Sequence, residues 1–150
     1  MEDALTQPVE VAIACLRYDD PQRGDLYLMQ LRDDLPNIAW PAHWAFFGGH
    51  LEQGENPSVA MRRELLEEIG HAPKQLTLYR SDTTSRAVIR HVFQGTLGVS
   101  LDQLCLQEGE DMGLFTPQEL RSGALFSQKL GRTRKIAQPH LEILLEILET

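Results

Sequence analysis

The sequence lacks the features of several protein classes. None of its apolar runs approaches the roughly 18 residues of a membrane-spanning helix. Its first ten residues, MEDALTQPVE, have neither the basic nor the apolar region of a signal peptide, so we expect a cytoplasmic protein with no membrane association. The net charge of −8 leaves no basic excess for a general affinity for nucleic acid.

Cysteine is also scarce. Only Cys15 and Cys105 are present, in the apolar segments VAIACLRY and LDQLCLQE, and neither lies in a CxxC or Cys/His spacing. We therefore predict two buried free thiols. The 150 residues, 42% hydrophobic and 24% charged, fit a single globular domain that spans residues 1–150.

Strand-like segments occupy much of the chain. Residues 9–18 are β-branched and almost continuously apolar, which predicts a central strand buried on both faces. A Pro/Gly turn at 19–25 leads to a second strand at 26–32, so these two strands should form a hairpin. Residues 33–43 are polar and broken by proline, which predicts a loop. Segments 76–82 and 87–97 are predicted to add two more strands.

Three segments are predicted to be helices. Asn56 and Pro57 are good residues at a helix start, and Gly70 is the matching stop. Between them an apolar stripe repeats at i, i+4 and i+8, as Met61, Leu65 and Ile69. A short helix should follow the capping box at 116–119. A last helix is predicted from Pro139, with an apolar stripe of Leu141, Leu144, Leu145 and Leu148.

Three carboxylates crowd one face of the first predicted helix. Glu64, Glu67 and Glu68 are spaced i, i+3 and i+4, so they share a face and repel one another, and no lysine separates them. A solvated acidic face is one interpretation. The other is a site for Mg²⁺ or Mn²⁺, which prefer clustered carboxylate oxygens and would offset the repulsion. The adjacent Gly48-Gly49 backbone favours the second interpretation.

The same segment resembles the box of the Nudix hydrolase family, G-x5-E-x7-R-E-U-x-E-E-x-G-U, where U is aliphatic. The matching residues are Gly49, Glu55, Arg63-Glu64-Leu65, Glu67-Glu68 and Gly70. The one departure is the last position, where His71 replaces an aliphatic residue. His71 follows the helix and does not lie on its acidic face, so we expect it to affect packing more than chemistry.

The resemblance implies an α+β fold of the α/β/α sandwich type, with a mixed sheet between helices. It also implies hydrolysis of a nucleoside diphosphate linked to another moiety by a metal-activated water. In the matching positions, Glu64, Glu67 and Glu68 would hold Mg²⁺ or Mn²⁺, with the Gly49 carbonyl as an additional ligand. Arg63 would orient the carboxylates, and Glu55 would support the loop geometry.

Some members of the family use a further glutamate outside the box. The segment QEGEDMGLF, residues 107–115, offers Glu108 as the favoured candidate for metal binding and proton transfer. Glu110 and Asp111 are alternatives, and a solvated acidic loop is the non-functional interpretation.

Substrate-binding residues are harder to identify. Trp40 and Phe46 are candidates for stacking on a base. Alternation places Phe46 and Phe47 on opposite faces, so at least one of them belongs to the core. Arg32, at a strand end, would border the cleft. A basic run, residues 128–138, is either a solvated linker or a binding site for a terminal phosphate. The histidines, His50 and His91 included, lack metal-site spacing and favour structural or surface roles.

The expected function is therefore that of a metal-dependent pyrophosphohydrolase acting on a small nucleotide or nucleotide sugar. The box does not select among the family's substrates, and the signatures of ADP-ribose or dinucleoside polyphosphate hydrolases outside the box are absent. The rival is a non-catalytic Nudix domain that senses a nucleotide or regulates a partner. Many relatives form homodimers, but the sequence shows no clear interface.

Overall fold

The computed structural model describes residues 7–150. In that range the strands are β1 (Val9–Asp20), β2 (Gly24–Leu31), β3 (Trp44–Ala45), β4 (Phe47–His50), β5 (Thr77–Asp82), β6 (Val88–Thr96), β7 (Asp111–Phe115), β8 (Ala124–Ser127) and β9 (Arg132–Lys135). The helices are α1 (Pro57–Ile69), α2 (Pro117–Arg121) and α3 (Gln138–Leu148). No helix within residues 7–150 is both long and apolar enough to cross a membrane.

A mixed seven-stranded sheet forms the centre of the fold. Its strand order is β3-β2-β1-β6-β5, with β4 also paired to β1 and β7 to β2. β1 runs parallel to β6 and antiparallel to β2 and β4. The predicted central first strand, its hairpin with the second, and the hairpin of β5 with β6 are all confirmed. The separate β8–β9 hairpin forms a second, two-stranded sheet.

Each face of the sheet has its own core, because side chains alternate along the strands. In β1, Ala12 and Leu16 join the core under α1, whereas Ile13 and Cys15 join the core under α3, α2 and the β8–β9 hairpin. The predicted α+β class, a mixed sheet between helices, is confirmed. It leaves α1 and its carboxylates on one face of the sheet.

Local signals set the limits of α1. The Asn56 side chain accepts a hydrogen bond from the Val59 N–H at 3.0 Å, and Pro57 is the first helical residue. At the other end Gly70 takes a left-handed conformation, φ 70°, and donates to the Leu66 carbonyl. The predicted stripe packs inward and is fully buried, as Met61, Leu65 and Ile69. The helix therefore begins and ends as predicted.

Two segments that were predicted to be irregular are strands. Residues 111–115 form β7, which pairs with β2, although segment 107–115 was interpreted as a loop. The basic run interpreted as a solvated linker forms β9 and the turn before it. The linker prediction is wrong because the indole N–H of buried Trp44 donates to the Leu125 carbonyl at 3.0 Å, which fastens the hairpin to the core.

Two predicted burial patterns need correction, and one is confirmed. Cys15 is a buried thiol as predicted, and burial raises its pKa to about 12. Cys105 is exposed, because Leu104 and Leu106 turn toward the core instead and alternation points the thiol outward. In α3 the buried residues are Ile143, Leu144 and Ile147, so the buried stripe is shifted from the predicted leucines, of which Leu141 and Leu148 pack at its margins.

Candidate active site

Glu68 is the buried carboxylate of the helix. It is 4% exposed, and its Oε1 accepts a hydrogen bond from the Gly48 N–H at 3.0 Å. Burial, with smaller contributions from the charges of Glu64 and Glu108, raises the pKa of Glu68 to about 8. Burial destabilises the ionised form of Glu68, and a bound cation would stabilise its negative charge.

Glu64 lies against the glycine turn of β4. A Cβ atom at Gly49 would be 2.1 Å from Glu64 Oε1, so only glycine leaves room for this carboxylate. Burial raises the pKa of Glu64, and the charges of Glu67 and Glu108 act in the same direction while Arg63 opposes them. The side chain is 15% exposed, so the site remains accessible from one side.

Glu108 reaches the helix from a distant part of the chain. The Cys105 N–H donates to the Ile69 carbonyl at 3.1 Å and the Gln107 N–H donates to the Glu68 carbonyl at 2.8 Å, which fixes this segment along the end of α1. Glu108 is exposed, and its charge acts on both Glu64 and Glu68. The structure thus brings together three of the predicted carboxylates, two from α1 and one from the segment before β7.

Arg63 organises the rest of the acidic side chains. Its guanidinium donates to both oxygens of Glu55, at 2.8 and 2.9 Å, and to the His50 carbonyl at 3.1 Å. This pairing lowers the pKa of Glu55 to about 2. Arg63 also contacts Glu67 at 3.2 Å and Glu64 at 3.5 Å. Glu67 is 59% exposed and is drawn toward the arginine, away from Glu68.

The donor set fits a divalent cation of the Mg²⁺ or Mn²⁺ type. Its oxygens are carboxylates, which these hard ions prefer, and two of the carboxyl groups have raised pKa values in the absence of a cation. Among residues 7–150 no three acidic, histidine or cysteine side chains already stand at metal-binding distance from one another. Binding would therefore draw Glu64, Glu67, Glu68 and Glu108 closer together.

Gln30 is a site residue that sequence reasoning missed. It is 4% exposed, and its Nε2 donates to the Glu108 carbonyl at 3.0 Å, while its Oε1 is buried without a hydrogen-bond partner. A lone amide in the apolar strand LYLMQL was the available signal. Its contact positions the backbone of Glu108 beside the helix.

Of the three predicted substrate residues, Arg32 and Trp40 lie outside the core and Phe46 lies within it. Arg32 lies at the end of β2, where Nε donates to the Ala39 carbonyl at 2.7 Å, and its charge acts on Glu68. Trp40 is 37% exposed in the loop after β2, with a positive φ of 51° and its ring edge-on to His43. Phe46 is 2% exposed and belongs to the core, as does Phe47, so the structure leaves Phe46 no open ring face for a base.

His140, at the start of α3, was also missed. Its ring stacks on Phe46 with centroids 5.4 Å apart, and its Nδ1 accepts the Phe46 N–H at 3.0 Å, which places the ring proton on Nε2. Burial and the charges of Arg90 and Arg32 lower the pKa of His140 to about 3. The ring is therefore neutral at physiological pH.

A neutral buried histidine predicts a loss of stability in acid. The unfolded chain takes up the proton near pH 6.5, whereas the folded pKa is about 3, so the stabilisation present above pH 6.5 is lost as the pH falls below that value. His140→Asn keeps an acceptor for the Phe46 N–H without titrating. In urea unfolding at pH 7 and pH 4.5, the wild type should lose more stability than the variant; equal losses would contradict the burial of a neutral ring.

The other histidines have structural or surface contacts. His91 links Glu10 and Ser81 across three strands, with both contacts at 2.7 Å. His71 places Nε2 2.8 Å from the Leu97 carbonyl, so it replaces the aliphatic residue of the box with a packing contact away from the carboxylates. It borders a cavity of about 970 Å³ that none of the predicted site residues lines. Arg17, which also lines this cavity, is already paired with Asp25.

Comparison with known proteins identifies the fold and the family. A sequence model of the NUDIX domain matches residues 8–136. The structure is similar to the NUDIX domain of Shewanella oneidensis NrtR complexed with ADP ribose, with a TM-score of 0.74 and 13% identity over 99% of this chain and 92% of that one.

Two other structures are similar over most of their length. One is a MutT protein, of Aliivibrio salmonicida or Vibrio cholerae, with a TM-score of 0.69 and 18% identity over 95% of this chain and 98% of that one. The other is the Nudix hydrolase RenU of M. smegmatis, with a TM-score of 0.69 and 16% identity over 93% and 83%. A search of curated proteins found no match. At these identities the solved structures establish the fold alone.

Proposed function

The chain belongs to the NUDIX domain family, and from that premise we propose that it is a metal-dependent pyrophosphohydrolase. The proposed substrate is a nucleoside diphosphate linked to another moiety, such as a nucleotide or a nucleotide sugar. Residence in the cytoplasm and a homodimeric state stay predictions from the sequence and the family.

One observation carries this proposal. Glu64 and Glu68 on α1 and Glu108, forty residues later in the chain, lie close enough for their charges to act on one another. A fold gains no stability from like charges brought together in a partly buried place. A pyrophosphate is itself polyanionic and is repelled by these carboxylates. A substrate of this kind can therefore bind here only with a cation that contacts both the carboxylates and the phosphates.

The residues have separate roles in this proposal. Glu64, Glu67, Glu68 and Glu108 would hold the cation, with the Gly49 carbonyl as a further oxygen ligand. When bound, a divalent cation neutralises phosphate charge and makes water more acidic. Glu108 is exposed, its backbone carbonyl accepts a hydrogen bond from Gln30, and its carboxylate would accept the proton of the attacking water. Arg63, paired with Glu55, positions the helix carboxylates and does not contact the substrate.

The test is product release from a panel of nucleoside triphosphates, nucleotide sugars, ADP-ribose and dinucleoside polyphosphates, with Mg²⁺ and separately with Mn²⁺. Cleavage of one substrate class should require the cation and stop on addition of a chelator. Glu67→Gln should lose about tenfold in rate, because an exposed ligand charge is removed while the fold is retained.

The rival function is a Nudix domain that binds nucleotides without cleaving them. It predicts silence across the panel, together with a Glu67→Gln variant that binds nucleotide as the wild type does. The retained carboxylates favour catalysis over this alternative.

A further inference from the structure

A second cavity is rich in arginine. It measures about 250 Å³, and its walls include the end of β2, the following loop and the β8–β9 hairpin. Three guanidinium groups line it, those of Arg32, Arg132 and Arg134. We call this space the arginine cavity.

Four arginines outside the cavity are paired with carboxylates. Arg17, Arg23, Arg63 and Arg80 each lie within 4.0 Å of a carboxylate. Among residues 7–150 the three arginines of the cavity form no such ion pair, although Asp34 and Glu110 line the same space. The cavity walls therefore carry three arginines against two acidic residues.

Arg134 carries a second sign of a missing partner. Its Nε is buried, and no residue between 7 and 150 accepts a hydrogen bond from it. A buried N–H without an acceptor is costly, and such groups in folded proteins are normally paired with protein, water or ligand. An anion between the guanidinium groups would provide the acceptor.

The hairpin that carries two of these arginines is held in place by side chains. Ser127 Oγ donates to Asp111 Oδ2 at 2.8 Å and accepts from the Leu130 N–H at 3.0 Å, which fixes the turn of the hairpin against β7. Asp111, one of the alternatives considered for proton transfer, thus has a positioning role here. Arg132 and Arg134 point to the cavity, whereas Lys135 does not line it.

Neighbouring segments of the chain line the cavity and carry the candidate active site. The Glu110 N–H donates to the Leu31 carbonyl at 2.8 Å, and both residues line the cavity. Glu108, two residues earlier, belongs to the carboxylate group, and Arg32 follows Leu31 directly. The charge of Arg32 also acts on Glu68, so this wall of the cavity lies near the carboxylates.

We propose that the arginine cavity binds a phosphate monoester of the substrate, separate from the pyrophosphate at the carboxylates. Guanidinium groups match phosphate oxygens in paired, charge-assisted hydrogen bonds, which is why arginine is favoured in phosphate sites. The volume is below the roughly 300 Å³ at which drug-sized pockets begin, so the cavity suits a sugar phosphate better than a second nucleoside. This inference rests on the proposed function and narrows its substrate to phosphorylated nucleoside diphosphate derivatives.

Titration of the protein with inorganic phosphate, in chelator and physiological salt, tests the cavity without any catalysis. Amide NMR shifts should map to β9 and the end of β2, and Arg132→Met and Arg134→Met should each weaken phosphate binding by about tenfold. Lys135→Met removes the same charge from the same strand outside the cavity and should bind phosphate as the wild type does. The Glu67→Gln variant should also bind normally.

Each outcome of the titration decides the proposal. Equal weakening by Lys135→Met would mean that net charge attracts the anion, and the cavity would be rejected as a site. Absence of phosphate binding by the wild type at millimolar concentration would also reject it. Either failure leaves the proposed hydrolysis standing, since that is tested separately by product release. Once an active substrate is known, a derivative of it that carries an additional phosphate monoester should have a higher kcat/KM. Arg134→Met should remove this gain.

Discussion

Glu68→Gln should make the metal-free protein more stable and the enzyme about a hundredfold slower, because one buried charge has opposite effects in the two states. The wild-type carboxyl group, with a pKa of about 8, has to be protonated or left uncompensated at pH 7 in the folded, metal-free chain. Glutamine keeps the acceptor for the Gly48 N–H without that penalty. The gain in the free energy of unfolding should be about 2 kcal/mol.

Thermal melts with and without Mg²⁺ measure the effect on stability, and kcat measures the effect on the enzyme. In chelator the variant should melt several degrees above the wild type, and with Mg²⁺ the wild type should gain much more than the variant. Glu149→Gln, an exposed change on the last turn of the chain, is the control and should alter neither. A variant that is less stable in chelator would show that the negative charge of Glu68 supports the fold.

The helix of the site could be predicted because its information is local. Asn56, Pro57 and Gly70 set its ends within one turn of backbone, and the stripe of Met61, Leu65 and Ile69 sets its buried face. The spacing of the carboxylates on a helix follows from the same geometry. The strands β1, β2, β5 and β6 were likewise predicted from apolar runs and turns, with errors of one or two residues at the ends.

Other parts of the site depend on contacts between distant segments. Nothing near Gln30 in the sequence indicates that its amide binds the backbone of Glu108, 78 residues away. The β8–β9 hairpin was misread because β9 is a four-residue strand of basic and polar residues, RTRK, and carries no apolar signal. It forms because Trp44 and Asp111 bind it from elsewhere in the fold. Burial of Phe46 likewise depends on His140, 94 residues later.

These distant contacts also explain how charge is distributed at the site. The acidic centre comes from α1, whose carboxylates are spaced by the helix itself. The basic groups come from β2 and β9, whose positions are set by tertiary packing. An anionic substrate with two separate phosphate groups fits this arrangement, because one group needs a cation at the carboxylates and the other needs none.

Gly48→Ala should destabilise the fold severely. A Cβ at Gly48 would lie 2.0 Å from the Ala12 carbonyl oxygen and 2.8 Å from the Ile13 Cα, both backbone atoms of the central strand. Since β4 pairs with β1 at this point, relief requires that the strands separate. The free energy of unfolding should fall by about 4 kcal/mol, and the melting temperature by roughly 10 °C. An unchanged melting temperature would show that β4 can shift without cost.

Gly49→Ala should have the opposite profile, a folded protein with little activity. The three atoms nearest to the added Cβ all belong to the carboxylate of Glu64, at 2.1 Å for Oε1 and 2.5 Å for Cδ. A side chain can swing away where a strand cannot. Moving this carboxylate by about 1 Å should cost about a hundredfold in kcat. Melting temperature and kcat of both glycine variants, measured side by side, separate the two effects. A Gly49→Ala enzyme with normal kcat would show that Glu64 is not held where catalysis needs it.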